Sequence, residues 1–109
     1  MLVLFDQGTP RGIARALAGH TVIEARARGW DTLANGELLA AAEAAGIHLF
    51  LTTDKNIQYQ QNLSNRKIAI VVLGKARWRL IRPRLADILA VVNAAKPGSF
   101  AFIEISDAT

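Results

Sequence analysis

Hydrophobic residues in this chain form short uninterrupted runs, separated by segments in which apolar positions recur every three or four residues. Short apolar runs are typical of strands that are buried on both faces of a parallel sheet. Near the C-terminus the apolar positions alternate instead, which is typical of a strand at the edge of a sheet. The pattern predicts strands at residues 2–5, 20–23, 47–53, 68–73 and 100–105.

Helical periodicity fills most of the intervening segments. Thr9 is a suitable N-cap for a first helix, with Pro10 at its first helical position. Asn35 is a suitable N-cap for a second helix. A third helix is predicted from its apolar spacing over residues 81–92. Residues 55–66 are polar and amide-rich, with one irregular helical turn expected.

The alternation of strands and helices predicts a single α/β domain over residues 1–109. Right-handed crossovers place helices on both faces of a parallel sheet. We therefore expect a three-layer α/β/α sandwich with a mostly parallel central sheet. If the first and third strands are neighbours in that sheet, their carboxyl ends meet at the same edge.

Three carboxylates are predicted to converge at this edge. Asp6 directly follows the first strand, Asp54 follows the third, and Glu37 lies in the first turn of the second helix. Ligands of open α/β sheets bind beyond the carboxyl ends of the strands. Clustered carboxylates repel one another without a cation, and their oxygen atoms suit Mg²⁺ or Mn²⁺.

Each acid also has a purely structural interpretation. Asp6 and Asp54 could cap the backbone that follows them, and Glu37 could favour the positive end of its helix dipole. The hydroxyls of Thr9, Thr52 and Thr53 suit hydrogen bonds to these acids. Thr52 and Thr53 could equally be β-branched strand residues.

The charge distribution points to an anionic partner. The chain has 13 basic and 9 acidic residues, and seven of the basic residues lie within the acid-free stretch 66–84. Such a stretch is a candidate footprint for a phosphate backbone. The candidate nucleic-acid ligands are Arg11, Lys55, Lys75, Arg77, Trp78 and Arg79.

An aromatic ring between two arginines can stack on a base while the guanidiniums bind phosphates, which favours RNA as the partner of the segment Arg77-Trp78-Arg79. The alternative is that Trp78 packs into the core or a dimer interface. Arg11 has the alternative of a solvated helical arginine, and Tyr59 could contact substrate or cover the sheet edge.

The chain contains no cysteine. This excludes disulfides, thiolate metal sites and cysteine nucleophiles, and it fits a reducing cytosol. The first apolar run is too short for a signal peptide or a membrane span. We therefore expect a soluble cytoplasmic protein with no membrane partner. The apolar surplus and the predicted edge strand Phe100–Ile105 are compatible with a homodimer.

Over roughly residues 1–75 the sequence resembles compact bacterial PIN-like proteins. The resemblance lies in the opening strand followed by Asp6 and a Pro-initiated helix, and it continues through residues 21–30. It also includes Asn35-Gly36-Glu37-Leu38-Leu39 and, most specifically, Thr52-Thr53-Asp54-Lys55-Asn56. PIN domains, including VapC-type toxins, are typically ribonucleases whose three or four acids bind Mg²⁺ or Mn²⁺. The resemblance implies that Asp6, Glu37 and Asp54 are the catalytic and metal-binding acids.

The chain departs from the PIN pattern at several positions. Asn56 stands where this branch often has a further Asp, and Gln7 stands where an acid is common. No acid follows the fourth strand, where Gly74 and Lys75 stand. The site would have three carboxylates at most, with Asn56 or Gln7 as a neutral oxygen ligand. One bound metal is then expected rather than two.

The resemblance therefore implies a metal-dependent ribonuclease, with the toxin of a toxin–antitoxin module as one role and an antitoxin protein as its partner. The alternative is a catalytically incomplete PIN-like module that binds RNA or a protein without cleavage. A third reading is an α/β domain that accepts a phosphoryl group on its acidic edge. The absence of a lysine at the end of the fourth strand, other than Lys75, counts against that third reading.

Overall fold

The structure is a computed structural model that describes residues 1–57, 63 and 65–106. The role predicted for Tyr59 lies outside the described residues, and so does most of the turn predicted within residues 55–66. No helix in the described part is long and apolar enough to cross a bilayer.

Five strands of the described part of the chain form one parallel sheet in the order β2-β1-β3-β4-β5. The strands are β1 (Leu2–Phe5), β2 (Thr21–Glu24), β3 (Leu49–Thr52), β4 (Ala69–Leu73) and β5 (Phe100–Ile103). The neighbours β1 and β3 pair in parallel, which is the condition under which their carboxyl ends were expected to meet. In such a sheet the direction of strand addition reverses between β1 and β3. Doubly wound proteins bind their ligands at this switch point, beyond the carboxyl ends of the strands.

Three α-helices and three 3₁₀ helices whose bounds lie within the described residues connect the strands. The α-helices are α1 (Asn35–Ala44), α2 (Trp78–Ile81) and α3 (Leu85–Ala94), and the 3₁₀ helices are Arg11–Ala16, Arg26–Arg28 and Arg82–Arg84. The third predicted helix is thus interrupted around Pro83, which lacks the N–H that a continuous helix needs. The first predicted helix forms as a 3₁₀ helix that begins after an extended Pro10.

Alternate side chains of the strands divide between two buried layers. One layer joins the sheet to the first 3₁₀ helix, α2 and α3, and it includes Val3, Phe5, Leu51, Val71, Ile13, Ile81 and Ile88. The other joins the sheet to α1 and includes Leu4, Phe50, Val72, Leu38, Leu39 and Ala42. Helices therefore cover both faces of the sheet, which confirms the predicted α/β sandwich.

Two residues predicted as N-caps make long-range contacts instead. Thr9 is buried, and its hydroxyl donates to the carbonyl oxygen of Leu51 at 3.1 Å. Asn35 is the first residue of α1, whose N-cap is Ala34, and no side chain caps that helix. The Asn35 amide donates to Asp54 Oδ2 at 2.9 Å. Both capping predictions were wrong because these polar groups bind partners at the end of β3.

Candidate functional site

Asp6 and Asp54 lie at the carboxyl ends of two neighbouring strands. The backbone N–H of Asp6 donates to the carbonyl oxygen of Leu51 at 3.1 Å, which extends the pairing of β1 with β3 by one residue. Asp54 follows Thr52, the last residue of β3, by two positions. The parallel register therefore brings together two acids that are far apart in the sequence, as predicted.

The buried hydroxyl of Thr52 connects these two acids. Thr52 Oγ1 donates to Asp6 Oδ2 at 2.7 Å and accepts the backbone N–H of Asp54 at 3.0 Å. Thr52 is completely buried at the end of β3, so its hydroxyl is held by the packing of the sheet. A single side chain thus determines how Asp6 is placed relative to the Asp54 backbone.

Neutral donors satisfy the remaining carboxylate oxygens. Asp6 Oδ1 accepts the backbone N–H of Gln7 at 2.8 Å. Asp54 Oδ1 accepts the backbone N–H of Asn56 at 3.0 Å, and Asp54 Oδ2 accepts the Asn35 amide. Each carboxylate oxygen can accept two hydrogen bonds, so capacity for a further donor or a cation remains. The ion pairs formed among the described residues involve neither Asp6 nor Asp54.

Glu37 does not join this acid pair. It is exposed, in the first turn of α1. Residues i and i+2 of a helix do not share a face, so the orientation that brings Asn35 to Asp54 directs Glu37 elsewhere. In the described part of the chain, no three acidic, histidine or cysteine side chains are grouped so that they could hold a metal ion. The structure brings together two of the three predicted acids, and Asn56 donates its backbone N–H to one of them, Asp54.

A cation-lined cleft adjoins the acid pair. Its volume is about 440 Å³, and its walls include Thr53, Lys55, Gly74, Lys75, Arg77 and Arg79. Thr53 and Lys55 flank Asp54 in the sequence, so the cleft and the acid pair share the loop after β3. Four of the six predicted nucleic-acid ligands therefore line a single cleft, which we call the basic cleft.

The other two predicted nucleic-acid ligands lie elsewhere. Trp78 remains 39% exposed, but its ring packs so closely on Gly12 that a Cβ at that glycine would lie 2.4 Å from the indole. Arg11 forms an ion pair with Glu24, with Nε 2.8 Å from Oε1 and both side chains solvated. Arg11 and Glu24 line a separate cavity of about 160 Å³ that also includes Asp6.

The basic stretch 66–84 does not form one continuous surface. Arg66 precedes β4 and binds Glu43 of α1 at 2.7 Å, whereas Lys75, Arg77 and Arg79 follow β4 at the opposite edge of the sheet. Arg84 pairs with Asp87 at 2.7 Å. The cations that line the basic cleft are therefore those that follow β3 and β4.

Compared with known proteins, the chain matches no family model, and no curated protein or solved structure is significantly similar to it. The resemblance to PIN-like proteins stays a prediction.

The donor set of the site fits one hard divalent cation. Mg²⁺ is commonly bound by one or two carboxylates, with water and substrate phosphate supplying the other oxygens. Asp6 and Asp54 supply two negatively charged groups whose hydrogen-bond donors are all neutral. A second ion would need further acids, which this group of residues does not provide.

Sequence reasoning missed the part that Asn35 plays in the site. The Asn-Gly dipeptide at positions 35 and 36 has the composition of a helix start, and local rules assign the asparagine to capping. Its actual partner, Asp54, is 19 positions away in the sequence. Only the packing of α1 against the sheet creates this contact, so no local pattern could have indicated it.

Proposed function

We propose that this protein is a PIN-like, metal-dependent ribonuclease that hydrolyses phosphodiester bonds of RNA. The observation that carries the proposal is the pair of carboxylates, Asp6 and Asp54, joined through Thr52 at the switch point of the sheet. The two carboxylates of this pair repel each other, and a bound divalent ion would offset that repulsion.

Each part of the site has a role in this proposal. Asp6 and Asp54 would hold one Mg²⁺ or Mn²⁺, which when bound supplies polarisation of a phosphoryl oxygen and activation of a water. Thr52 and Asn35 position the carboxylates through the hydrogen bonds described above. The basic cleft binds the phosphates on one side of the scissile bond, because Thr53 and Lys55 of its walls flank Asp54 in the sequence.

A direct test measures RNA cleavage in Mn²⁺ by the wild-type protein, Asp6→Asn and the control Asp31→Asn. Asp31 is an exposed acid in the loop before α1, so its loss should leave activity unchanged. We expect Asp6→Asn to lower the rate by more than about a hundredfold, beyond the loss typical of residues that only support metal ligands. Equal rates for the wild type and Asp6→Asn would refute the nuclease proposal.

A toxin role in the cytoplasm, with an antitoxin protein as partner, belongs to the same proposal, as does a homodimer. The supporting experiment is co-expression with the product of the adjacent gene. A small DNA-binding protein that co-purifies and suppresses cleavage would support the toxin role. Copurification without any effect on RNA cleavage would contradict it.

The second candidate function is RNA binding without cleavage, and the position of Glu37 outside the acid pair favours it. Two carboxylates are fewer than the three or four of the PIN pattern. This candidate predicts that the wild-type protein retains RNA, with an affinity that falls as salt rises. It also predicts no Mn²⁺-dependent turnover, which is the result that separates the two candidates.

A further inference from the structure

A cavity lies at the opposite end of the strands from the acid pair. Its volume is about 420 Å³, within the range of roughly 300–1,000 Å³ in which proteins bind small molecules. It is formed where β3 and β4 begin, between the end of α1 and the segment that joins α3 to β5. None of its described lining residues belongs to the acid pair or to the basic cleft, and we call it the amino-edge pocket.

Apolar side chains form most of the interior of the amino-edge pocket. Ile47, Ile68 and Ala69 line it as buried residues of the core. Ala95 and Pro97 line it at positions that are more accessible to solvent. Such a lining favours the apolar part of a ligand, because that part leaves water when it enters the pocket.

Hydrogen bonds between neighbouring segments hold the walls of the pocket in place. Glu43 of α1 accepts the backbone N–H groups of Lys67 and Ile68 at 2.7 and 3.3 Å. The backbone N–H of Gly98 donates to the carbonyl oxygen of Lys67 at 2.9 Å, which fixes the segment before β5 to the segment before β4. The pocket is therefore preformed, so a ligand would lose little binding free energy to ordering of the protein.

The charges around the amino-edge pocket favour an anion. Glu43 is the acid among the described lining residues, and its carboxylate is bound by Arg66 Nη1 at 2.7 Å as well as by the two backbone N–H groups. Lys67 and Lys96 are exposed lining residues, and the ion pairs formed among the described residues include neither of them. An apolar interior is thus combined with two cations whose charge no described acid balances.

We propose that the amino-edge pocket binds a small amphipathic anion of the medium-chain carboxylate class. The apolar chain occupies the pocket, and the carboxylate interacts with the amines of Lys67 and Lys96. A neutral apolar molecule would leave both amines without a counter-charge, and a cationic one would be repelled by them. The inference goes beyond the proposed function, because this pocket and the acid pair lie at opposite ends of the strands.

The test is isothermal titration calorimetry of the whole chain at low salt, without RNA or divalent metal. The probes are octanoate, hexanoate and octylammonium, each below its micelle-forming concentration. Wild type is compared with Lys67→Gln, Lys96→Gln and the double variant. The matched control is Lys55→Gln, which removes an exposed lysine of the basic cleft. Thermal unfolding checks that every variant is folded.

We expect octanoate to bind roughly fifteenfold more tightly than hexanoate, because two more methylenes leave water. Octylammonium has the same chain and the opposite charge, so it should bind at least about tenfold more weakly than octanoate. Each single lysine variant should weaken octanoate binding about three- to fivefold, the loss of one exposed ion pair. Lys55→Gln should leave octanoate binding unchanged.

Several results would overturn this inference. One is a wild-type protein that does not bind octanoate at millimolar concentrations. Equal affinity for octanoate and octylammonium would show that the two lysines do not select the ligand, and equal weakening by Lys55→Gln would place the ligand elsewhere. Retention on phosphatidylglycerol vesicles without binding of free octanoate would assign the cations to a lipid surface. The nuclease proposal is judged separately, because Asp6→Asn is scored by RNA cleavage.

Discussion

At the scale of single residues, the Thr52 hydroxyl is the group on which the geometry of the acid pair depends. It is both donor and acceptor, and it is fully buried between Asp6 and the backbone of Asp54. Removing one partner of a buried hydrogen bond leaves the other unsatisfied, which costs more than the net gain from the bond itself. The two carboxylates should therefore be sensitive to a substitution that barely changes the shape of residue 52.

We expect Thr52→Val to destabilise the protein by about 1–3 kcal/mol, because it leaves Asp6 Oδ2 and the Asp54 N–H without this partner. RNA cleavage in Mn²⁺ should fall at least about tenfold, as for other residues that support metal ligands. Thr52→Ser keeps the hydroxyl and should retain cleavage. Urea denaturation measures stability and a timed cleavage assay measures the rate. A valine variant as active as wild type would show that the bridge does not position the acids.

At two predicted helix starts, the local rules for N-caps gave the wrong partner for a polar side chain. Thr9 and Asn35 have the side chains that favour N-caps, yet neither caps a helix, and both bind groups at the end of β3. Helix propensity and capping rules consider only neighbours in sequence. A partner that becomes available through folding can compete for the same polar atoms. These contacts form only when α1 and the first 3₁₀ helix pack on the sheet.

At the scale of elements, Glu43 connects α1 to the segment that enters β4. Its carboxylate accepts hydrogen bonds from Arg66 Nη1 at 2.7 Å and from the backbone N–H groups of Lys67 and Ile68 at 2.7 and 3.3 Å. Burial by itself would raise the pKa of Glu43. The hydrogen bonds from Arg66, Lys67 and Ile68, together with the charge of Arg66, outweigh burial and lower that pKa below its ordinary value of 4.5.

We expect Glu43→Gln to lower the free energy of unfolding by about 1–3 kcal/mol at pH 7, because a neutral amide cannot replace this acceptor. A carboxyl whose pKa is lowered by folding stabilises the protein above its unfolded-state pKa, and this stabilisation is lost as pH falls through the folded-state pKa. The difference between variant and wild type should therefore shrink below the ordinary value of 4.5.

The matched control for Glu43 is Asp87→Asn, which removes an exposed ion pair with Arg84. Exposed pairs of this kind contribute little, so the control should change stability by less than about 0.5 kcal/mol. Urea titrations at several pH values measure all three proteins. A Glu43→Gln effect that stays constant down to the lowest pH would contradict the assigned role of the carboxylate.

At the scale of the whole molecule, an ion pair lies at one end of the strands and a cluster of cations at the other. Arg66 and Glu43 neutralise each other at the edge where β4 begins, whereas four cations line the cleft beyond the strand's other end. The net charge of +4 is therefore less informative than the position of the charges. The acid pair and the basic cleft both lie beyond the carboxyl ends of the strands, and the proposed function uses both.

We expect RNA affinity to fall linearly with salt on logarithmic axes, because phosphate contacts release counterions. Arg79→Ala should reduce the slope of that line by about 0.7, the value for one contact with a single strand. Arg15→Ala is the matched control, since Arg15 is an exposed cation that does not line the cleft, and its slope should equal that of wild type. Anisotropy titrations across a salt series supply the slopes. Equal slopes for all three proteins would show that the basic cleft does not bind RNA phosphates.

Much of the architecture could be predicted from the sequence, because it depends on the pattern of apolar residues within short segments. Apolar runs indicated the strands, and the rule of right-handed crossovers placed their carboxyl ends on one side of the sheet. The predicted meeting of Asp6 and Asp54 also required β1 and β3 to be neighbours, and the structure meets that condition. The position of Glu37 depends on the rotation of α1 about its axis, which is set by how Leu38, Leu39 and Ala42 pack on the sheet. Hydrophobic periodicity indicates which side of a helix is buried. It does not give the rotation of the helix about its axis accurately enough to say which neighbouring residue faces the site.

The order in which the strands associate has a consequence during synthesis. β1 emerges before the other strands, its neighbour β3 is made only after β2 and α1, and the arginines of the cleft come after β4. The residues of the proposed site therefore leave the ribosome at different times. Both acids, Asp6 and Asp54, are synthesised before the cations of the basic cleft. On the proposed function, an unfinished copy lacks the surface that would retain the message from which it is being translated.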